Sequence, residues 1–169
     1  MLSKSDELLL IAKQLISLNF EQQKIHELTG IAPTKFALYK GTQYDNTRKN
    51  GFSWMKRPST GYMGDRILRL YETMFGICPK KDNIDDPAKL LKLFKAYLAI
   101  YPNDDISTNR IYHFLKALQA RSLTTFESCS SCKKKYFVYQ EHQKSCCICR
   151  YSKKLQSSAS KSNDKVING

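Results

Sequence analysis

The feature that most restricts what this 169-residue chain can fold into is the stretch CSSCKKKYFVYQEHQKSCCIC, residues 129–149. It holds two Cys-x-x-Cys pairs, Cys129/Cys132 and Cys146/Cys149, thirteen residues apart. A Cys-x-x-Cys turn aims two sulfurs at one point, and two such turns joined by a short strand supply the four ligands of a tetrahedral Zn2+ site. Five of the six cysteines fall in this window. The pattern predicts one Zn2+ per chain, held by Cys129, Cys132, Cys146 and Cys149. Cys147 and His142 are the competing ligands, and an iron–sulfur cluster is the competing cofactor. Four protein ligands close the shell, which suits a structural site, because catalytic zinc keeps a position open for water.

The rest of the chain reads as helical. Leu8, Ile11, Ala12, Leu15 and Leu18 repeat at the spacing of one helix face, with Ser3 or Ser5 as cap and Asn19 as stop. A short helix over 21–28 ends at Thr29-Gly30, and a third starts near Pro33 and runs to Lys40. Helix, glycine turn, helix is the order of a helix-turn-helix, with Thr34, Lys35 and Lys40 outward toward DNA. Residues 41–64 hold four of the seven glycines and read as a loop. Its Arg48, Lys49, Lys56 and Arg57, interleaved with Phe52 and Trp54, suit phosphate contact. Further helices are expected from Asp65 to Phe75, from Asp86-Pro87 to Tyr101, and from Ser107 or Thr108 onward. A strand is expected at residues 136–139, and a disordered polar tail at 155–169.

The fold class is therefore mainly α: helix-turn-helix-like N-terminal helices, a helical core, and a small C-terminal four-cysteine zinc-binding module of ribbon or knuckle type. The divisions fall at 1–44 (helix-turn-helix-like), 45–125 (core, with a basic and aromatic loop at 45–64), 126–154 (zinc module) and 155–169 (tail). The chain carries 28 basic against 15 acidic residues, a net charge of +13. Such an excess points to nucleic acid as partner. Lys133, Lys134, Lys135, Lys144 and Arg150 surround the cysteine pairs and would make the metal knuckle a phosphate-reading surface. No eighteen-residue apolar run or signal peptide is visible, which predicts a cytoplasmic protein with reduced thiols and no membrane partner. No deaminase His-x-Glu, Walker or dinucleotide motif appears, so no enzymatic activity is expected.

With these residues in view, the chain resembles the FlhC family. That is the larger subunit of the bacterial flagellar master transcriptional activator, with relatives on conjugative elements. The likeness runs through AKQLISLNFEQQKIHELTG and FALYKG, then GFSWM, then LLKLFKAYLAIYP, and ends in the two cysteine pairs. It implies a mostly helical protein whose zinc ligands map onto Cys129, Cys132, Cys146 and Cys149. It also implies binding of double-stranded DNA in a hetero-oligomer with a smaller FlhD-like subunit, contact with RNA polymerase, and control of flagellar or conjugative-transfer operons. The chain departs from the family in a shorter gap between the pairs, in YDNTRKN at the start of the central loop, and in its short polar tail. The residues alone leave two other readings: a zinc-stapled interaction scaffold, or an RNA-binding zinc-ribbon protein.

Overall fold

The computed structural model describes residues 3–35, 58–120, 125–138 and 143–163. Its first helix, α1 (Lys4–Ser17), opens on a reciprocal cap. The Ser3 hydroxyl accepts the Asp6 N–H at 3.2 Å, and the Asp6 carboxylate accepts the Ser3 N–H. Ala12, Leu15 and Ile16 form its buried stripe. Asn19 then takes a left-handed φ of 58°, which breaks the helix where the sequence places the stop. Helix α2 (Gln22–Thr29) ends on Gly30 at φ 70°, whose N–H donates to the His26 carbonyl. Residues 33–35 make one turn of 3-10 helix. The rest of the expected third helix, including Lys40, lies outside the described residues, as do Arg48, Lys49, Lys56 and Arg57.

Helix α3 (Pro58–Phe75) begins seven residues before the expected start at Asp65, and so takes over the end of the expected loop. Gly61 and Gly64 read as turn residues but are buried inside this helix. Each glycine costs a helix interior about 1 kcal/mol relative to alanine. Tertiary packing outweighs that here, since α3 is the element against which the C-terminal module docks. Gly76, at φ 66°, ends the helix, and Pro79–Lys81 form a 3-10 turn. Helix α4 (Pro87–Ile100) starts as the sequence requires: Asp86 accepts the N–H groups of Ala88 and Lys89, and Pro87 occupies the first turn. Ser107 caps α5 (Thr108–Gln119).

These five helices share one core, with Phe94, Phe114, Tyr71, Tyr97, Leu15, Ile25 and Leu68 fully enclosed. Phe20 packs against Phe94 and Tyr112 with ring centroids 5.2 and 5.4 Å apart. Three core tyrosines need partners for their hydroxyls, and each donates to an aspartate in a connection between helices. Tyr71 donates to Asp82, Tyr97 to Asp104 and Tyr112 to Asp85. A cation holds each carboxylate in turn: Lys89, Arg66 and Lys116 respectively. The connections are thereby tied to the core by chemistry that satisfies a buried hydroxyl and a carboxylate together.

The C-terminal module begins with an antiparallel hairpin. Strand β1 (Thr125–Ser128) pairs with β2 (Lys135–Val138), in a register that sets Ser128 opposite Lys135. Only β2 was expected from the sequence. Helix α6 (Cys147–Asn163) then runs along α3. It replaces the first nine residues of the disordered tail expected at 155–169. The composition there is too polar for a core, but no glycine or proline interrupts it before Gly169. A helix nucleated at a fixed end extends at little cost per residue. Among the described residues no helix is long and apolar enough to cross a membrane.

Candidate metal centre

The hairpin's turn and the start of α6 bring the four predicted cysteines together. The sulfurs of Cys129, Cys132, Cys146 and Cys149 all lie within 4.8 Å of one another. A tetrahedral Zn2+ with bonds of about 2.3 Å sets its sulfurs about 3.8 Å apart. The Cys132 and Cys146 sulfurs are 3.8 Å apart. The donor set therefore fits a four-coordinate thiophilic ion such as zinc. Cys129 and Cys146 are fully buried, while Cys132 and Cys149 are partly exposed.

The backbone shapes each half of this site. Lys133 takes a left-handed φ of 58° and donates its N–H to the Cys129 carbonyl, which folds the first pair into a knuckle. The Cys129 N–H donates to the Lys134 carbonyl, and the Ser130 N–H to the Lys144 carbonyl, which joins the two halves. The Cys129 sulfur accepts the Cys146 N–H at 3.3 Å, and the Cys146 sulfur accepts the Cys149 N–H at 3.5 Å. Burial alone would raise the Cys129 thiol, but N–H groups of Cys132, Cys146 and Ser131 outweigh it and hold it below its ordinary range. Burial pushes the Cys146 thiol up. Behind the sulfurs, the buried Tyr136 donates its hydroxyl to the Gln143 carbonyl.

Two residues at the site come from α3, far away in sequence. The Arg69 guanidinium donates to the Cys146 sulfur at 3.2 Å and to the Cys132 sulfur at 3.5 Å. One turn earlier, the fully buried Asp65 accepts the Cys147 N–H at 2.6 Å, at the first residue of α6. Burial pushes the Asp65 carboxyl up to about 7, against the lowering effects of the Cys147 N–H, Arg69 and the Ile148 N–H. Asp65 Oδ1 and Arg69 Nε are buried and have no protein hydrogen-bond partner among the described residues. Sequence reasoning missed both. The available signal was an acid and a base four residues apart on a helix whose other stripe is Ile67, Leu68 and Tyr71.

Cys147 is buried next to the site but is not one of the four clustered residues. His142 lies outside the described residues. Lys133, Lys134, Lys135 and Lys144 are exposed around the knuckle, and Arg150 is half-buried on α6. Lys133, Lys134 and Lys135 also line one wall of a groove of about 700 Å³, whose other wall is Arg69, Glu72 and Cys78. Thr34 and Lys35 are exposed on the 3-10 turn at residues 33–35. No protein-family model, curated protein or solved structure matches the chain.

Proposed function

We propose that this protein is a DNA-binding transcriptional activator subunit with a structural four-cysteine zinc site. The observation that carries this reading is the run of exposed Lys133, Lys134 and Lys135 on the knuckle that the cysteine pairs fold, beside an open groove. A metal-held turn presents cations at fixed spacing, so little side-chain and loop entropy is lost when they meet phosphates. Lys144 and Arg150 extend the same basic surface, and the net charge of +13 adds attraction toward nucleic acid at a distance. Helix α2 and the left-handed Gly30 that ends it supply the first helix and the turn of the proposed helix-turn-helix, with Thr34 and Lys35 exposed at the start of its second helix. The likeness to the FlhC family extends the proposal to the protein's setting, the bacterial cytoplasm. There it acts in a hetero-oligomer with a smaller FlhD-like subunit, recruits RNA polymerase, and switches on flagellar or conjugative-transfer operons.

The test is duplex-DNA binding across a salt series, with and without an FlhD-like partner. The reading expects salt-sensitive binding that weakens when Lys133, Lys134 and Lys135 are changed to Glu. Removing one phosphate interaction should flatten the salt slope by about 0.9. No salt-sensitive binding under either condition refutes it. A second reading, a zinc-stapled interaction scaffold, is favoured by the docking of the site onto α3 through Asp65 and Arg69. It expects the triple charge reversal to leave activity intact. Single-stranded RNA outcompeting duplex DNA would instead select the RNA-binding zinc ribbon.

A further inference from the structure

We infer that α3 is an integral part of the metal centre: Arg69 is its counter-cation, and Asp65 locks the helix that carries the second cysteine pair. The inference rests on the metal reading of the four cysteines and goes beyond it, because neither residue is a ligand.

The charge balance at the four sulfurs favours a cation. Four thiolates around a divalent ion carry a formal charge of −2, and this cluster is largely enclosed, with Cys129 and Cys146 at 0% exposure. An enclosed net charge is costly unless it is paired or hydrogen-bonded. The described hydrogen bonds to the four sulfurs come from backbone N–H groups, from neighbouring thiols, and from one cationic side chain, Arg69. Its guanidinium spans one sulfur from each Cys-x-x-Cys pair, Cys132 and Cys146. It therefore bridges the two halves of the site as well as offsetting their charge. No described hydrogen bond joins the side chains of the exposed Lys133, Lys134 and Lys135 to the sulfurs, so those side chains face an outside partner.

Asp65 serves a separate purpose. Helix α6 starts at Cys147, between the two cysteines of the second pair, so its first turn determines where Cys146 and Cys149 point. The free N–H groups of a first turn favour a carboxylate acceptor. Asp65 supplies one from another helix, at 2.6 Å from the Cys147 nitrogen. Tyr62 reinforces the docking a turn earlier, by stacking on Tyr151 of α6 with centroids 4.9 Å apart. The result is a stripe on α3, Tyr62, Asp65 and Arg69, that meets the module, with Tyr62 also tied to the core through its hydroxyl bond to Asp104. Metal loading in this arrangement fixes the direction of α6 against the helical core as well as the knuckle itself.

The test measures Co2+ and Zn2+ affinity of the full chain by chelator competition, with the Co2+ charge-transfer and d–d bands reporting the ligand set. Far-UV circular dichroism checks the fold. Arg69→Gln should weaken metal binding on the order of 10–100-fold while the bands keep their tetrahedral four-sulfur form, as expected for loss of a group that supports ligands rather than of a ligand. Arg69→Lys keeps the cation but loses the planar fork, and should show a smaller loss. Asp65→Asn keeps an acceptor for the Cys147 N–H and should hold metal affinity, whereas Asp65→Ala removes it and should weaken binding; unchanged affinity in Asp65→Ala overturns the part assigned to Asp65. Metal affinity of Arg69→Gln equal to wild type overturns the inference. If that variant does not fold, Arg69→Lys decides: weaker binding with intact helicity supports it, and unchanged binding overturns it. A wild-type chain that takes up neither metal refutes the metal reading itself, which is a distinguishable result.

Discussion

The helical core and the cysteine module are built by opposite means. The core encloses more than twenty hydrophobic residues from α1 to α5, and its polar groups are tethers added to an apolar interior. The module encloses Cys129, Tyr136 and Cys146, with Cys132, Ile148 and Cys149 partly covered. Four of these six are the clustered cysteines. Among the described residues the module encloses little besides sulfur, and without a metal the four sulfurs are crowded together for no gain. One region follows from the hydrophobic effect, and the other, on the proposed metal reading, depends on coordination. The boundary between them runs along α3, which gives Ile67, Leu68 and Tyr71 to the core and Asp65 and Arg69 to the module.

The largest effect should come from the ligands. Structural zinc sites contribute about 10–16 kcal/mol of apparent binding energy. Cys129→Ser, or chelation, should therefore unfold the module while α1, α2, α4 and α5 keep most of their helicity. Circular dichroism and tyrosine fluorescence will check this, and one cooperative collapse of both regions would break the distinction. Cys147→Ser should retain the metal, whereas Cys146→Ser should lose it; the reverse result would put the wrong cysteine in the shell. Next comes Phe94→Ala, which removes a fully enclosed ring from the core and should cost about 3–5 kcal/mol. Denaturant titration should show that loss with metal stoichiometry unchanged.

Much of the core was legible in the sequence, because its signals are local. Ser3, Asp86-Pro87 and Ser107 mark helix starts through backbone hydrogen bonds within three residues. Gly30 and Gly76 mark helix ends through a conformation that other residues resist. The four cysteines were legible because metal spacing is a short-range rule. The hidden parts depend on contacts across the chain. Pro58 starts a helix through two buried glycines because the module packs against it, and residues 155–163 are helical as a continuation of the helix that starts at the cysteine cluster. Asp65 and Arg69 look like a solvated i,i+4 pair; only the position of α6 shows that they face sulfurs and backbone N–H groups. The expected third helix to Lys40 and the loop's Arg48, Lys49, Lys56 and Arg57 lie outside the described residues.

Smaller effects sharpen the comparison. Asp86→Ala removes the α4 cap and should cost the core about 1 kcal/mol, read as a lower melting temperature with unchanged metal affinity. Acid should separate the regions in order. Thiolate ligands compete with protons, so metal release begins the loss in mild acid. The core should yield only at lower pH. Burial would raise Asp82, but hydrogen bonds from Lys89 and Tyr71 outweigh it and hold it below its ordinary value. Asp85 is held down against burial in the same way by Lys116 and Tyr112. A depressed carboxyl stabilises the fold above its unfolded pKa, and that contribution is lost as pH falls through the lower folded value. Asp82→Asn should therefore flatten the core's acid transition without moving the pH of metal release. A shift in both together would mean that the regions are not independent.

The most direct measurement is hydrogen exchange on the zinc-loaded chain before and after chelation, resolved by segment. Coordination as the organiser of the C-terminal module predicts a steep loss of protection in residues 125–138 and 143–156, and little change in α1, α4 and α5. Equal loss in every segment, or no loss in the module once the metal is gone, would contradict it.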